Sequence, residues 1–236
     1  MKYWAALVIT TFLAGCVMPM SPPAGQSQQP QSGPPAVSQD QAARNFVTAV
    51  RRVQPVAEQV CRRRASGSSC DFLILIDDRP GQPANAFQTI GEDGRPVLVF
   101  TLALIADARN EDEIAFVMGH ETAHHILGHI PQTQRSAQQG ALIAGILVAA
   151  GGGGSAAVDT AQRLGATVGA RTFSKGFELE ADALGTEITE SAGFSALRGA
   201  EFFGRIADPG DSFLGTHPPN AERRATVEQT VARLGR

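Results

Sequence analysis

Two histidines that lie one helical turn apart constrain this chain more than any other feature. His120 and His124 fall within residues 110–128, whose capping-box start and apolar periodicity predict a helix that ends before Pro131. Four residues advance a helix by about 6 Å and roughly 400°, so both imidazoles project from one face and can bind one Zn²⁺. Glu121 lies beside them, where a carboxylate can take a proton from metal-bound water. The spacing therefore predicts a catalytic zinc site.

Such a site needs a third protein ligand and an open position. Residues 177–192 predict a second helix, on which Glu178 and Asp182 project from one flank of a narrow apolar stripe and Glu180 projects from the other. This geometry favours Glu178 as the ligand and Asp182 as the acceptor that orients a zinc-bound imidazole. Glu180 remains an alternative ligand. His125 and His129 also lie one turn apart, but no third ligand accompanies them, so each is a supporting or a surface residue.

The N-terminus predicts an exported protein. Residues 1–15 combine a positive charge with a short apolar stretch, as a signal peptide does, and Leu13-Ala14-Gly15-Cys16 resembles the bacterial lipoprotein signal. By that resemblance Cys16 is lipidated, and Val17 after it favours the outer membrane; an ordinary signal peptide is the alternative. Residues 16–39 predict a disordered tether, because they are rich in Pro, Gln and Ser. Residues 40–236 then form the folded domain.

Two cysteines remain beyond the predicted lipid site. Cys61 and Cys70 flank a loop that contains Ser and Gly, and in an exported protein a disulfide between them is plausible. Two free buried thiols are the alternative. Neither cysteine has a spacing to the histidines that indicates a metal ligand.

The remaining pattern predicts an α+β fold that is mainly helical, with a small β-sheet beside the motif helix. The net charge of −3 gives no indication of a nucleic-acid partner, and no apolar run reaches the roughly 20 residues that a spanning helix needs. Residues 140–154 are apolar but too rich in Gly for a rigid helix, and they cover the site or touch lipid. The other predicted elements are a helix over 41–62, a buried strand over 72–76, hairpin arms over 84–90 and 96–101, and helices over 195–207 and 220–234.

The chain contains three motifs in a fixed order: Gly119-His120-Glu121-Thr122-Ala123-His124 with His129, Glu178-Leu179-Glu180-Ala181-Asp182, and Thr216-His217-Pro218-Pro219, preceded by Asn85-Ala86-Phe87 and Asn110-Glu111-Asp112-Glu113. Together these motifs resemble one group of zinc metallopeptidases, which includes HtpX, BepA, the Oma-type proteases and the CAAX prenyl endopeptidases. The resemblance covers about residues 41–232, and the small lipoprotein members such as LoiP look most similar in size.

The resemblance implies a zincin-like domain in which His120, His124 and Glu178 bind one Zn²⁺ per chain and Glu121 is the general base. It also implies roles for His217 and Arg223, which match a C-terminal His/Arg pattern of the family. His217 would stabilise the oxyanion of the tetrahedral intermediate, or would occupy the open zinc position and silence the enzyme until substrate displaces it. A loop histidine without a role is the third possibility.

The sequence thus predicts a zinc metalloendopeptidase that is anchored by its N-terminal lipid, faces the periplasm of a bacterial envelope and cleaves unfolded or misfolded envelope polypeptides. A substrate strand would pair with an exposed sheet edge, for which either hairpin arm is a candidate. The alternative function is a chaperone-like module that binds outer-membrane proteins or their assembly machinery and has a gated zinc site. A further alternative is a lipoprotein that uses residues 141–150 for membrane or partner contact.

Overall fold

The computed structural model describes residues 37–172, 174–208 and 217–235. This part of the chain consists of long helices and a small three-stranded sheet, which confirms the α+β prediction. The signal peptide, the lipid site and nearly all of the predicted tether lie outside the described residues. The elements in chain order are α1 (Gln39–Arg64), β1 (Leu73–Asp77), β2 (Ala86–Ile90), β3 (Pro96–Thr101), α2 (Leu102–Asp107), α3 (Glu111–Ile126), α4 (His129–Ala150), α5 (Ser155–Thr172), α6 (Ser174–Ser191), α7 (Ala196–Gly199), a 3-10 turn (Ala200–Gly204) and α8 (Asn220–Arg233).

The central layer of the fold is α3, which packs between α1 and α6. Asn110 caps α3, because its side-chain oxygen accepts a hydrogen bond from the Glu113 amide at 3.0 Å. Helix α1 begins at a Ser38 cap and buries one apolar stripe, which includes Phe46, Val53 and Ala57. It extends two residues beyond each predicted end. The core thus forms where the apolar faces of α1, α3 and α6 meet.

The sheet order is β1-β3-β2, so β3 is the central strand. The predicted hairpin is confirmed as antiparallel β2 and β3, whereas β1 pairs with β3 in parallel. The prediction that β1 is buried is wrong, because Leu75 and Ile76 are 43% and 48% exposed. An apolar run predicts a strand but does not distinguish a central strand from an edge strand. The β3 arm is also excluded as a site for strand addition, because both of its edges are paired.

The chain between α3 and α6 differs most from expectation. Helix α3 ends at Ile126, and Gly128 in the left-handed region (φ 69°) connects it to α4. Pro131, expected to stop a helix, lies in the first turn of α4, where a missing amide hydrogen breaks no helical bond. The predicted lack of a rigid helix after residue 140 is wrong as well, since α4 continues to Ala150.

Glycines in this segment allow two helices to approach closely instead of ending a helix. A Cβ atom added to Gly140 would lie 2.1 Å from the Gly165 carbonyl oxygen, and one added to Gly169 would lie 2.1 Å from the Ser136 carbonyl oxygen. Helices α4 and α5 therefore pack backbone to backbone as an antiparallel hairpin, with its tip at Gly151–Gly154. No helix in the described residues is both long enough and apolar enough to cross a membrane.

The C-terminal part packs against both α3 and α6. The predicted helix over 195–207 is instead the short α7 followed by a 3-10 turn that ends at Gly204, whereas the last predicted helix is confirmed as α8. A second apolar cluster joins this part to α3, with Phe116 of α3 in edge-to-face contact with Phe203 at 5.6 Å. Helix α8 is thereby held against α6 beside the motif residues.

Candidate metal centre and substrate cleft

Two glycines set the distance between the helices that carry the predicted metal ligands. Helix α3 crosses α6 where Gly119 meets Gly185, and a Cβ atom on Gly185 would lie 2.8 Å from the His120 amide nitrogen. Real Cβ atoms do not approach this closely, so only glycine permits the crossing. The crossing lies one residue from His120 on α3 and two turns from Glu178 on α6.

The crossing brings His120, His124 and Glu178 together. Their ligand atoms all lie within 4.8 Å of one another. The Nε2 atoms of the two histidines are 3.0 Å apart, and the Glu178 carboxylate oxygens lie 3.3 Å from His124 Nε2 and 3.6 Å from His120 Nε2. Two imidazole nitrogens and one carboxylate are a donor set that suits zinc, with a position left for water. This group could therefore hold a metal ion.

Charge within the cluster favours an ionised Glu178. Burial alone would raise the pKa of Glu178, but hydrogen bonds from His120, His124 and His217 outweigh burial and hold that pKa well below its usual range. The carboxyl group is thus a carboxylate at neutral pH, which is the form that binds a cation.

A buried ion pair supports His120 from behind. Asp182 accepts from His120 Nδ1 at 2.9 Å and receives two hydrogen bonds of 2.7 Å from the guanidinium of Arg223 on α8. Asp182 is fully buried, and Arg223 holds its pKa below the usual range against the effect of burial. The pair directs His120 Nε2 toward Glu178. Arg223 thus contacts Asp182, although the sequence motif had associated it with His217.

His129 supports the second histidine, a role that sequence reasoning left undecided. Its Nδ1 lies 2.8 Å from His124 Nδ1, its Nε2 lies 3.3 Å from a Glu180 oxygen, and its ring stacks on Phe177 at 4.4 Å. Burial, followed by the nearby His124, lowers the pKa of His129 to about 3, so the ring is neutral. A neutral ring can accept a hydrogen bond from the His124 Nδ1–H at its own Nδ1 while its Nε2–H donates to Glu180. Spacing alone could not predict this contact, because His125 and His129 are four residues apart just as His120 and His124 are.

The other candidate residues lie at the edges of this centre. Glu121 lines the same cleft as the metal-ligand group. His217, half exposed, places its Nδ1 3.0 Å from a Glu178 oxygen. Glu180 points to His129 and is 62% exposed, away from the ligand atoms. His125 turns to the opposite side, where its Nε2 donates to the Ser69 carbonyl at 2.7 Å.

The disulfide loop contacts the motif helix. Cys61 and Cys70 are joined, with their Cα atoms 5.7 Å apart. The loop that they close presents the Ser69 carbonyl to His125 on α3, while the Phe72 ring meets the His125 ring edge to face at 5.4 Å. The disulfide therefore holds the loop between Cys61 and Cys70 in place against His125, on the helix that also carries His120 and His124.

An open cleft of about 840 Å³ surrounds the metal-ligand group. Edge strand β2 forms one wall through Ala86 and Phe87, and Ile130 and Thr133 at the base of α4 form another. Within the described residues, the outer edge of β2 has no paired strand, and a cleft of this volume beside such an edge can accommodate an extended peptide.

The α+β fold and the helix-borne His-Glu-x-x-His sequence define a metallopeptidase. The sequence profile of peptidase family M48 matches residues 49–231, so the chain belongs to this family of zinc metallopeptidases. It is also 36% identical over 113 residues to a protein of Vibrio cholerae serotype O1 described as a beta-barrel assembly-enhancing protease. That match covers 44% of this chain and 23% of the relative, so the chain aligns with about a quarter of the relative's length.

Proposed function

We propose that the protein is a zinc-dependent endopeptidase in which His120, His124 and Glu178 bind one zinc ion and Glu121 is the general base. The observation that carries this proposal is the convergence of two imidazole nitrogens and one carboxylate within 4.8 Å, at the side of an open cleft. Asp182 and Arg223 fix one imidazole and His129 fixes the other, so the donor atoms are preorganised for a metal ion.

A zinc ion held by His120, His124 and Glu178 would supply the Lewis acidity that polarises a peptide carbonyl and acidifies a water molecule. Glu121 accepts a proton from the attacking water as its oxygen bonds to the carbonyl carbon. The same carboxyl group then donates that proton to the amide nitrogen, and the carbon–nitrogen bond breaks to release an amine and a carboxylic acid, which passes its proton to the amine at neutral pH. A substrate strand pairs with the free edge of β2, which recognises backbone more than side chains and suits unfolded polypeptides.

The proposed clients are unfolded or misfolded proteins of a bacterial envelope. The lipoprotein-like signal ending in Cys16 supports lipid attachment on the periplasmic side, with the outer membrane as the proposed location. The description of the Vibrio cholerae relative as a beta-barrel assembly-enhancing protease supports a link to the assembly of β-barrel proteins. Quality control of such proteins is the biological role that joins these two observations.

A pair of glutamine substitutions on α6 tests the ligand set. We expect Glu178→Gln to bind zinc more than about 100-fold more weakly and to lose casein cleavage, since even residues that only support a metal ligand contribute 10–100-fold. Glu180→Gln is the matched control on the same helix: the amide oxygen can still accept from His129 Nε2, so this variant should retain one zinc per chain and its activity. Zinc is measured by atomic absorption after dialysis against graded chelator, with circular dichroism as a check of folding. Zinc loss in the control alone would assign Glu180 as the ligand.

A second candidate function is a gated or chaperone-like protein, and one contact favours it. The His217 ring lies against the carboxylate of Glu178, at the mouth of the cleft that a substrate must enter. A ring held there would exclude substrate until a client displaces it. The same position also suits a donor that stabilises an oxyanion, so removal of the side chain separates the two roles.

We expect His217→Ala to lower kcat/KM on unfolded casein by about 10²–10³-fold, which is the usual effect of losing one oxyanion donor. Zinc content should stay at one per chain, because His217 is not one of the three proposed ligands. The comparison is made with the parent protein at saturating zinc. A rise in kcat/KM would instead assign His217 as a gate and favour the second function.

A further inference from the structure

The α4–α5 hairpin presents a large apolar surface that no other described element covers. Leu142, Ile143, Ile146 and Leu147 of α4 are 57–67% exposed. On α5, which buries none of its described residues, Leu164 and Val168 are 63% and 46% exposed. Single exposed apolar residues are ordinary, but a contiguous cluster on one projecting element indicates an interaction surface.

Two of the three charged residues of α5 are kept away from this surface, whereas the third, Arg171, lies at the base of the hairpin on the same side as Leu164. Asp159 and Arg163 lie five residues before Leu164 and Val168 respectively, which at 100° per residue is about 140° around the helix. The four apolar residues of α4 follow the spacing i, i+1, i+4 and i+5, so they also share one face. Toward its tip the hairpin is thus amphipathic, with Asp159 and Arg163 on a different side of α5 from Leu164 and Val168.

The end of the hairpin carries no charge. No Asp, Glu, Lys or Arg occurs from Ser136 to Val158, a stretch that contains most of α4 and the whole glycine tip. A charged side chain is expensive to bring into hydrocarbon, so an uncharged tip can enter the headgroup region at little electrostatic cost. Close backbone packing between α4 and α5 holds the two helices together, so the apolar face is formed in advance.

We propose that the α4–α5 hairpin docks on a lipid bilayer through its apolar face. The inference rests on the proposed lipid attachment at Cys16. Only 22 residues lie between Cys16 and the start of α1 at Gln39, so they can span at most about 75 Å. The domain is therefore held at high local concentration beside one bilayer, which is the surface that the apolar face meets first.

Docking sets the position of the cleft relative to the membrane. Thr133 on α4 lines the cleft, and Leu147 on the same helix lies 14 residues further along, which corresponds to about 21 Å. The cleft is thereby held within one or two helix diameters of the lipid surface. Its substrate class is then unfolded polypeptide that is close to the membrane, such as a membrane protein that has failed to insert.

A single tryptophan tests the docking. The chain has one Trp, Trp4 in the predicted signal peptide, and Trp4→Phe removes it from every variant. Leu147→Trp then reports the apolar face, and Gln59→Trp on an exposed position of α1 is the matched control. Each full-length protein is produced with its lipid and reconstituted into vesicles of phosphatidylethanolamine and phosphatidylglycerol, with or without brominated acyl chains. We expect Leu147→Trp to shift its emission to the blue and to lose intensity in brominated vesicles, and Gln59→Trp to do neither.

Two readouts separate the possible failures. Equal emission and equal quenching at the two positions would overturn the docking. A blue shift of Leu147→Trp in detergent, together with dimer formation in sedimentation, would overturn it as well and would assign the face to a second copy of the chain. Casein cleavage by the same preparations reports the proposed peptidase function independently. Flotation with vesicles is also compared between the parent and Cys16→Ser. If the parent floats no better than this variant, both the lipid attachment and the docking that depends on it are overturned.

Discussion

A Glu121→Gln variant is expected to lose peptide cleavage by about 10²–10⁴-fold while it keeps one zinc per chain. Glutamine has nearly the same shape as glutamate but accepts no proton from water, so only the general-base step is removed. Glu121 is not among the three residues whose ligand atoms converge, which are His120, His124 and Glu178. Metal content and activity should therefore separate in this variant, whereas they fall together when a ligand is replaced.

The control for this variant is Glu111→Gln, in the first turn of the same helix. Its carboxylate lies near the helix N-terminus, so its loss should lower the free energy of unfolding by about 0.3–1 kcal/mol and leave cleavage unchanged. Both proteins are assayed on unfolded casein beside the parent, with zinc measured on the same samples. Full activity in Glu121→Gln would assign the general base to another residue.

A methyl group at Gly185 is expected to disrupt the metal centre without touching any proposed ligand side chain. In Gly185→Ala the new Cβ would lie 2.8 Å from the His120 amide nitrogen and 2.9 Å from its Cα, so α6 must move away from α3. Overpacking of this kind costs about 1–3 kcal/mol of stability. The same displacement carries Glu178 away from the two histidines, so zinc affinity should fall by at least tenfold.

Gly176→Ala is the matched control, because a Cβ on Gly176 of α6 meets nothing within 4 Å. Alanine favours a helix over glycine by roughly 0.5–1 kcal/mol, so this variant should unfold at a higher temperature than the parent and bind zinc normally. Thermal unfolding and competition with a chelator measure the two effects. If Gly185→Ala also gained stability and kept its zinc affinity, the close crossing would not determine the position of Glu178.

The local parts of the proposed site could be predicted because they depend on helical spacing alone. His120, Glu121 and His124 lie within one helical turn, and their relative directions are a property of the backbone. The preference for Glu178 over Glu180 as the ligand follows in the same way, because the two side chains lie on opposite flanks of the apolar stripe of α6. The capping of α3 by Asn110 was readable for the same reason, since a cap involves residues only three apart.

The contribution of His129 could not be predicted, because it depends on where one helix ends. The sequence predicted that α3 continued to Gly128, which would place His129 directly after the end of that helix and gave no reason for its ring to turn back to His124. The left-handed conformation of Gly128 instead starts α4 at His129 and turns the ring back to His124. A single backbone angle, not a side-chain pattern, thus determines this contact.

The glycines of the 140–154 segment illustrate the same limit. In isolation Gly140 and Gly145 lower helix propensity, so the sequence argued against a rigid helix there. In the folded chain the absence of a side chain lets α4 approach α5, and packing outweighs propensity. The exposed apolar face of the hairpin follows from that pairing, because α5 covers only one side of α4.

The sequence by itself determined the class of the protein and the chemical types of its proposed ligands, since those depend on residue identity and on spacing within a helix. Only the tertiary structure decided which distant groups meet. Arg223 on α8 reaches Asp182, β2 becomes the free edge beside the cleft, and Glu178 comes within 3.3 Å of His124. These contacts depend on how closely helices pack, and that closeness is set by pairs of residues, such as Gly119 and Gly185, that are far apart in the chain.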